Sequence, residues 1–273
     1  MRAVIAGLVL AGLAAVPAHA ADGATCQGKP ATIVRAEGVV EGTNGDDVII
    51  GGSKTEVRAG GGADTVCVAG GVVDGGPDSD SVEARGTEGA DRLVLEYVEV
   101  VDVQTGEGPD RVVIRGEQPT GELDGGPGED LVSVEIDENV TVNLARGRLT
   151  LGPHQHASLA GFENAAADTF SGGRIVGDEG DNRLWLTSNY DCGGVVLGGP
   201  GDDVITSWRT SVHETCRGIT AYGGPGDDLL TGSAYNDVLV GGPGRDRARG
   251  RDDEGRDFCR AEIRSGCEAG RPQ

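Results

Sequence analysis

The chain has 273 residues, of which 49 are glycine, and aromatic residues make up only 3%. Its formal net charge of −22, from 45 acidic and 23 basic residues, argues against a nucleic-acid or anionic-membrane partner. The apolar residues are mostly short Val, Leu and Ile between glycines, which favours a thin core drawn out along an axis over a compact globule. Composition alone is equally typical of an acidic disordered chain, but here the acidic residues are regularly placed.

Residues 1–20 are typical of a secretory signal peptide. Arg2 supplies the positive start, residues 3–16 are apolar, and Ala18-His19-Ala20 is an A-x-A cleavage site. The apolar stretch is too short to span a bilayer, and no transmembrane segment is predicted elsewhere. We therefore expect a secreted, extracellular chain in which residues 21–41 form an N-terminal segment and cap.

Six cysteines in an exported chain indicate disulfides. No C-x-x-C pair occurs and histidine is scarce, so a zinc site is not expected. Many pairings are possible in principle. The sequence-local one is favoured, and it joins Cys26 to Cys67, Cys192 to Cys216 and Cys259 to Cys267.

A nine-residue repeat of the form G-G-x-G-x-D-x-U-x, with U a large aliphatic residue, recurs along the chain. Degenerate copies fill residues 42–133, and further copies fill residues 177–251. The best copies are 125–133, 198–206 and 223–231. The last continues without a break to residue 249, which places Asp228, Asp237 and Asp246 nine residues apart.

These motifs resemble the RTX, or hemolysin-type, calcium-binding repeats of secreted bacterial proteins. The resemblance implies a mostly-β fold, a right-handed parallel β-roll or β-solenoid of glycine-rich nonapeptides. The first six residues of each repeat would turn the chain, since glycine accepts positive φ. The last three would form a short strand with U pointing inward, and two repeats would complete one coil.

The same resemblance implies Ca²⁺ as the cofactor and the sixth-position carboxylates as its ligands. Neighbouring coils would bring two such carboxylates together, as with Asp228 and Asp246, and a divalent cation would remove their repulsion. The best candidate metal ligands are Asp130, Asp203, Asp228, Asp237 and Asp246. The weaker copies add Asp47, Asp64, Asp80, Asp91 and Asp110.

Some segments depart from the repeat. Lys54 and Glu56 stand where Gly and Asp belong, and Asn182 replaces an Asp. Residues 134–176 alternate apolar and polar positions and contain a G-F-E-N segment at 161–164. They are expected to continue the coil without calcium.

Two minor features remain. His154 and His156 form an H-x-H pair, for which no third metal ligand is evident. Residues 252–273 are predicted to break the repeat and form a C-terminal cap and tail.

No H-E-x-x-H or G-x-S-x-G motif occurs, and only residues 21–41 separate the predicted cleavage site from the first repeat. The chain is therefore expected to be a monomeric calcium-binding protein and not an enzyme. An extracellular adhesin or matrix component that uses calcium structurally is an alternative, with a cell-surface or polysaccharide partner. A β-helix enzyme acting on polysaccharides is a weaker one.

Overall fold

The computed structural model describes residues 23–116, 119–152, 155–170, 172–188, 193–208, 218–251 and 256–267. These residues form twenty-six strands and contain no helix, and therefore no helix long and apolar enough to span a membrane. The first strands are β1 (Thr25–Cys26), β2 (Lys29–Pro30), β3 (Ile33–Thr43), β4 (Val48–Gly60), β5 (Thr65–Val68), β6 (Gly71–Asp74), β7 (Ser81–Arg85), β8 (Arg92–Glu96), β9 (Val100–Gln104), β10 (Arg111–Arg115), β11 (Thr120–Asp124) and β12 (Leu131–Ile136).

The remaining strands become shorter toward the C-terminal end. They are β13 (Val140–Asn143), β14 (Arg148–Leu151), β15 (Gln155–Ala160), β16 (Asn164–Thr169), β17 (Gly173–Val176), β18 (Arg183–Ser188), β19 (Gly194–Leu197), β20 (Val204–Trp208), β21 (Thr220–Tyr222), β22 (Leu229–Thr231), β23 (Val238–Val240), β24 (Arg247–Arg249), β25 (Phe258–Arg260) and β26 (Ile263–Ser265).

The chain coils between two mainly parallel sheets, which confirms the predicted β-roll, or β-solenoid, architecture. Sheet 1 has the spatial order β5-β7-β9-β11-β15-β14-β13-β17-β19-β21-β23-β25. Sheet 2 has the order β6-β8-β10-β12-β16-β18-β20-β22-β24-β26. The long strands β3 and β4 run through both sheets.

The core is the narrow space between the two sheets, and the predicted U positions fill it. In the three-residue strands β21 to β25 only the middle side chain points inward, and Leu230, Leu239 and Ala248 are fully buried. Longer upstream strands contribute more, as with Leu93 and Leu95 of β8. The alternation of buried and outward residues is the two-residue period of a strand.

Residues 134–176 differ from a simple continuation of the coil. Strands β13, β14 and β15 form an antiparallel meander within sheet 1, so that coil contributes three strands there and only β12 to sheet 2. The reversal occurs at Gly147, whose φ of 57° permits a turn closed by its N–H donating to the Leu144 carbonyl. The apolar alternation correctly predicted strands, but it carries no information on their direction.

The two ends of the roll carry disulfides. Cys26–Cys67 ties β1 to β5, and Cys259–Cys267 closes the last coil, as predicted. The predicted Cys192–Cys216 pair lies outside the described residues. The tail also differs from expectation, because β25 and β26 pair in parallel with β23 and β24 and add another coil after the nonapeptide pattern ends.

Candidate metal centres

The strands that follow the predicted Asp residues are entered through glycine-containing corners, and these corners lie along the two long edges of the roll. We define the first edge as the corners that lead into sheet 1 and the second edge as those that lead into sheet 2. The predicted residues on the first edge are Asp47, Asp64, Asp80 and Asp237. Those on the second edge are Asp91, Asp110, Asp130, Asp203, Asp228 and Asp246.

Along each edge, one carboxylate oxygen of an Asp holds the backbone of the preceding coil. The Asp203 N–H donates to Asp228 Oδ1 at 2.9 Å, and the Asp228 N–H donates to Asp246 Oδ1 at 3.1 Å. On the first edge the Asp64 N–H donates to Asp80 Oδ1 at 2.9 Å. The predicted neighbours two repeats apart, Asp228 and Asp246, therefore lie in adjacent coils.

The length of one coil varies more than the nonapeptide predicts. Asp228 and Asp246 are 18 residues apart in sequence, as two repeats require. Adjacent-coil partners are separated by 16 residues for Asp64 and Asp80 and by 25 for Asp203 and Asp228. Insertions are therefore accommodated within the coil while the Asp keeps its place on the edge.

The second carboxylate oxygen lacks a hydrogen-bond donor in seven of the ten predicted residues. All seven residues are at most 2% exposed, so water does not solvate this atom. The residues are Asp64, Asp80, Asp110, Asp130, Asp203, Asp228 and Asp246. A buried anionic oxygen without a partner is costly, and such atoms are rare unless a cation or ordered water satisfies them.

Glycine at the first position of most of these repeats allows this arrangement. The carboxylates of Asp228 and Asp246 fold back over Gly223 and Gly241, and a Cβ at either glycine would overlap them. Backbone carbonyls approach just as closely, since a Cβ on Gly224 would overlap the carbonyl oxygen of Gly199. The corners thus combine buried carboxylate oxygens with close-lying carbonyls.

This donor set consists of oxygen atoms alone. Within the described ranges, no three His, Cys, Asp or Glu side chains converge on one point, so a metal at a corner would need backbone carbonyls as further ligands. Ca²⁺ suits such a site because it accepts about six to eight oxygens, carbonyls included, in flexible geometry. The H-x-H pair adds nothing to it, since His156 is exposed on β15 and His154 lies outside the described residues.

Comparison with known families supports the same interpretation. The profile of the RTX calcium-binding nonapeptide repeat, with four copies, matches residues 39–53 and 222–256. The two matched segments carry RTX-type calcium-binding repeats. No curated protein matches it significantly in sequence.

Burial perturbs the acidity of the RTX carboxylates. Desolvation raises the pKa of Asp203 to about 7, and the neighbouring Asp228 charge adds to it. The pKa of Asp80 is likewise raised to about 7, and those of Asp130 and Asp228 to about 6, mainly by desolvation. These groups therefore resist ionisation in the absence of a cation.

The other three predicted RTX residues have donors within their own repeats. Asp47 Oδ2 accepts the Thr43 N–H at 2.7 Å, and Asp91 Oδ2 accepts the Thr87 N–H at 2.6 Å. Asp237 Oδ2 accepts the Ser233 N–H at 2.7 Å. Desolvation still raises the pKa of Asp237 to about 7, with a contribution from Asp257.

Several residues outside the set of candidate ligands occupy the same place on the edges, among them Asp257, around which the sequence predicts a last degenerate copy of the repeat. Glu163 Oε2 accepts the Asp130 N–H, and Glu262 Oε2 accepts the Asp246 N–H, both at 2.8 Å. Asp257 Oδ1 accepts the Asp237 N–H at 2.9 Å, which explains why the roll continues into β25. An acidic residue directly before a strand, irrespective of glycine, is the signal that would have found them.

Proposed function

We propose that the protein is a secreted calcium-binding protein whose ions lie along the edges of the roll and fold or stiffen it. The observation that carries the proposal is the set of seven buried carboxylates with one oxygen lacking a donor. Their positions are those that the RTX pattern predicts for calcium ligands. The ten predicted Asp residues are the candidate ligands, and the seven with an oxygen that lacks a donor are the strongest of them.

Electrostatics gives calcium a defined role. Adjacent coils place like charges side by side, as with Asp228 and Asp246, in a chain of net charge −22. Repulsion between two charges at about 4 Å is about 1 kcal/mol in water and several-fold larger near a protein surface. A bound Ca²⁺ supplies positive charge that reverses this repulsion. Magnesium fits less well, because it prefers a tight octahedron and keeps its own waters.

Each group of the corner has a separate task in this proposal. The Oδ1 atom of Asp228 fixes the register of the preceding coil by accepting the Asp203 N–H. Its Oδ2 atom is left to bind the ion. Glycine at the first and second positions lets the carboxylate and the neighbouring carbonyl approach.

Location outside the cell is part of the proposal. The leader-like residues 1–20 and the disulfides Cys26–Cys67 and Cys259–Cys267 both favour an oxidising compartment. Extracellular modules need calcium affinities of only about 10⁻⁴–10⁻³ M. We further propose that the protein is monomeric, has no catalytic activity, and loses part of its ordered structure without calcium, because binding energy becomes folding energy.

In the test, calcium is titrated into the mature, oxidised chain that was prepared in chelator, and far-UV circular dichroism monitors the change. The expected result is a gain of β signal with calcium and a much smaller gain with magnesium at equal concentration. A β spectrum that is already complete in chelator, with no heat of calcium binding by calorimetry, would contradict the proposal.

A further inference from the structure

The second residue of each repeat separates the candidate sites into two groups. Where this residue is glycine, the sixth-position carboxylate keeps an oxygen without a donor. Where it is Thr or Ser, that oxygen is hydrogen-bonded within the repeat. We call the first group open repeats and the second group closed repeats.

The closed repeats share one geometry. In addition to their N–H groups, the hydroxyls of Thr43 and Thr87 donate to the Oδ2 atoms of Asp47 and Asp91, each at 2.9 Å. The Ser233 hydroxyl donates to Asp237 Oδ1 at 2.9 Å. Each carboxylate therefore receives two hydrogen bonds from a residue four positions earlier, in addition to any from the neighbouring coil.

The open repeats have the opposite geometry. Their second-position glycines all adopt positive φ, for example 119° at Gly199 and 134° at Gly224. The N–H groups of these two glycines donate to the next coil, to the Gly223 and Gly241 carbonyls at 3.0 and 2.9 Å. The donor that satisfies the carboxylate of a closed repeat is thus directed away from it, and Oδ2 has none.

One further repeat has the hydrogen-bonding pattern of a closed repeat around an uncharged side chain. Its second residue is Asp178 and its sixth is Asn182, which carries no charge. Asn182 Oδ1 accepts the Asp178 N–H at 2.8 Å, and its Nδ2 donates to the Glu163 carbonyl at the same distance. An amide therefore replaces the carboxylate where the corner is closed, and all of its polar atoms are bonded.

We propose that the second residue of each repeat decides whether it binds calcium. The seven open repeats take the ions, whereas the repeats of Asp47, Asp91 and Asp237 are held by their own hydrogen bonds and stay in place without the metal. This inference rests on the proposed calcium binding and deepens it. It divides the roll into ion-dependent and ion-independent corners.

The test compares two isosteric variants that lie nine residues apart in the same run. Calcium binding to the full mature chain is counted by isothermal titration for wild type, Asp228→Asn and Asp237→Asn. We expect Asp228→Asn to bind at least one ion fewer than wild type, and Asp237→Asn to bind the same number. Equal losses in both variants, or no loss in Asp228→Asn, would overturn the inference.

A second pair of variants tests the inference independently, in case the first pair does not fold. Ser233→Gly should convert a closed repeat into an open one and add an ion, because glycine can take positive φ and removes the hydroxyl donor. Ser233→Ala, which removes only the hydroxyl, should leave the ion count unchanged. An unchanged count in Ser233→Gly would also overturn the inference. A wild type that binds no calcium would instead contradict the proposed function itself.

Discussion

The two edges of the roll differ in how many of their coils carry an acidic or amide side chain. The second edge carries an acidic or amide side chain at every coil from β8 to β26: Asp91, Asp110, Asp130, Glu163, Asn182, Asp203, Asp228, Asp246 and Glu262. On the first edge, among the described residues, buried Asp occurs only toward the two ends: Asp47, Asp64, Asp80, Asp237 and Asp257. Calcium would therefore act mainly along one edge in the middle of the molecule.

This difference explains where the nonapeptide is visible in the sequence. Only near residues 218–251 do three successive corners carry a predicted Asp, so Asp228, Asp237 and Asp246 recur every nine residues. Further upstream a single edge supplies the Asp, and the spacing becomes that of a whole coil, 19 residues from Asp91 to Asp110. The family profile matches 222–256, where the two edges alternate, and the first copy at 39–53, and it does not match the central coils.

The largest expected effect follows from removing calcium. In chelator, we expect the amide protons of Asp203 and Asp228 to exchange much faster, because their acceptors belong to open repeats on the second edge. The Ile219 amide, which donates to the closed Asp237 carboxylate at 2.7 Å, should change less. Hydrogen exchange with and without calcium measures both. Equal acceleration at all three amides would remove the distinction between the corners.

A second prediction uses Asp203→Asn on the second edge. In calcium the variant should be less stable than wild type by about 3 kcal/mol, since a charge partner is lost from a buried site. In chelator at pH 8 it should be more stable by about 2 kcal/mol, because a buried unpaired charge is gone. Denaturant unfolding in both conditions checks the change of sign. The same sign in both conditions would show that Asp203 does not bind the ion.

The sequence predicted much of this arrangement and left part of it open. The U positions, such as Leu230, and the ten Asp residues follow from the repeat, because glycine turns and inward aliphatics have local signatures. The edge on which each Asp falls depends on coil length, which varies between 16 and 33 residues. The antiparallel β14 and the hydroxyl donors Thr43, Thr87 and Ser233 depend on tertiary contacts that periodicity does not encode.

A third prediction concerns pH and affects both edges. The pKa values of Asp80, Asp203 and Asp237 are raised to about 7 by burial in the folded chain, above the ordinary value of 3.8. The folded state therefore binds these protons more tightly than the unfolded state. Their contribution to stability is present below about pH 4 and is lost as the pH rises through 7.

In chelator the unfolding temperature should consequently fall between pH 5 and pH 8. With saturating calcium the fall should be smaller, because the ion replaces the proton, and calcium affinity should rise over the same interval. Thermal unfolding followed by circular dichroism at several pH values measures this. A chelated protein that becomes more stable toward pH 8 would contradict the assignment of these carboxylates as buried and unpaired.

The smallest expected effect is on the first edge. Ser233→Ala removes the hydroxyl that donates to Asp237, at a cost of about 1 kcal/mol. Because this repeat is closed, the loss should be similar with calcium and in chelator. Thermal unfolding in both conditions is the measurement. A loss confined to the calcium form would indicate that Asp237 binds an ion after all.

The most direct test of the account is the anomalous diffraction map of crystals grown in calcium. We expect peaks beside the Oδ2 atoms of the open repeats on both edges, such as Asp203, Asp228 and Asp64, and no peak at Oδ2 of Asp237. Peaks absent from both edges, or located away from these carboxylates, would contradict the central claim that the buried corner oxygens hold the calcium.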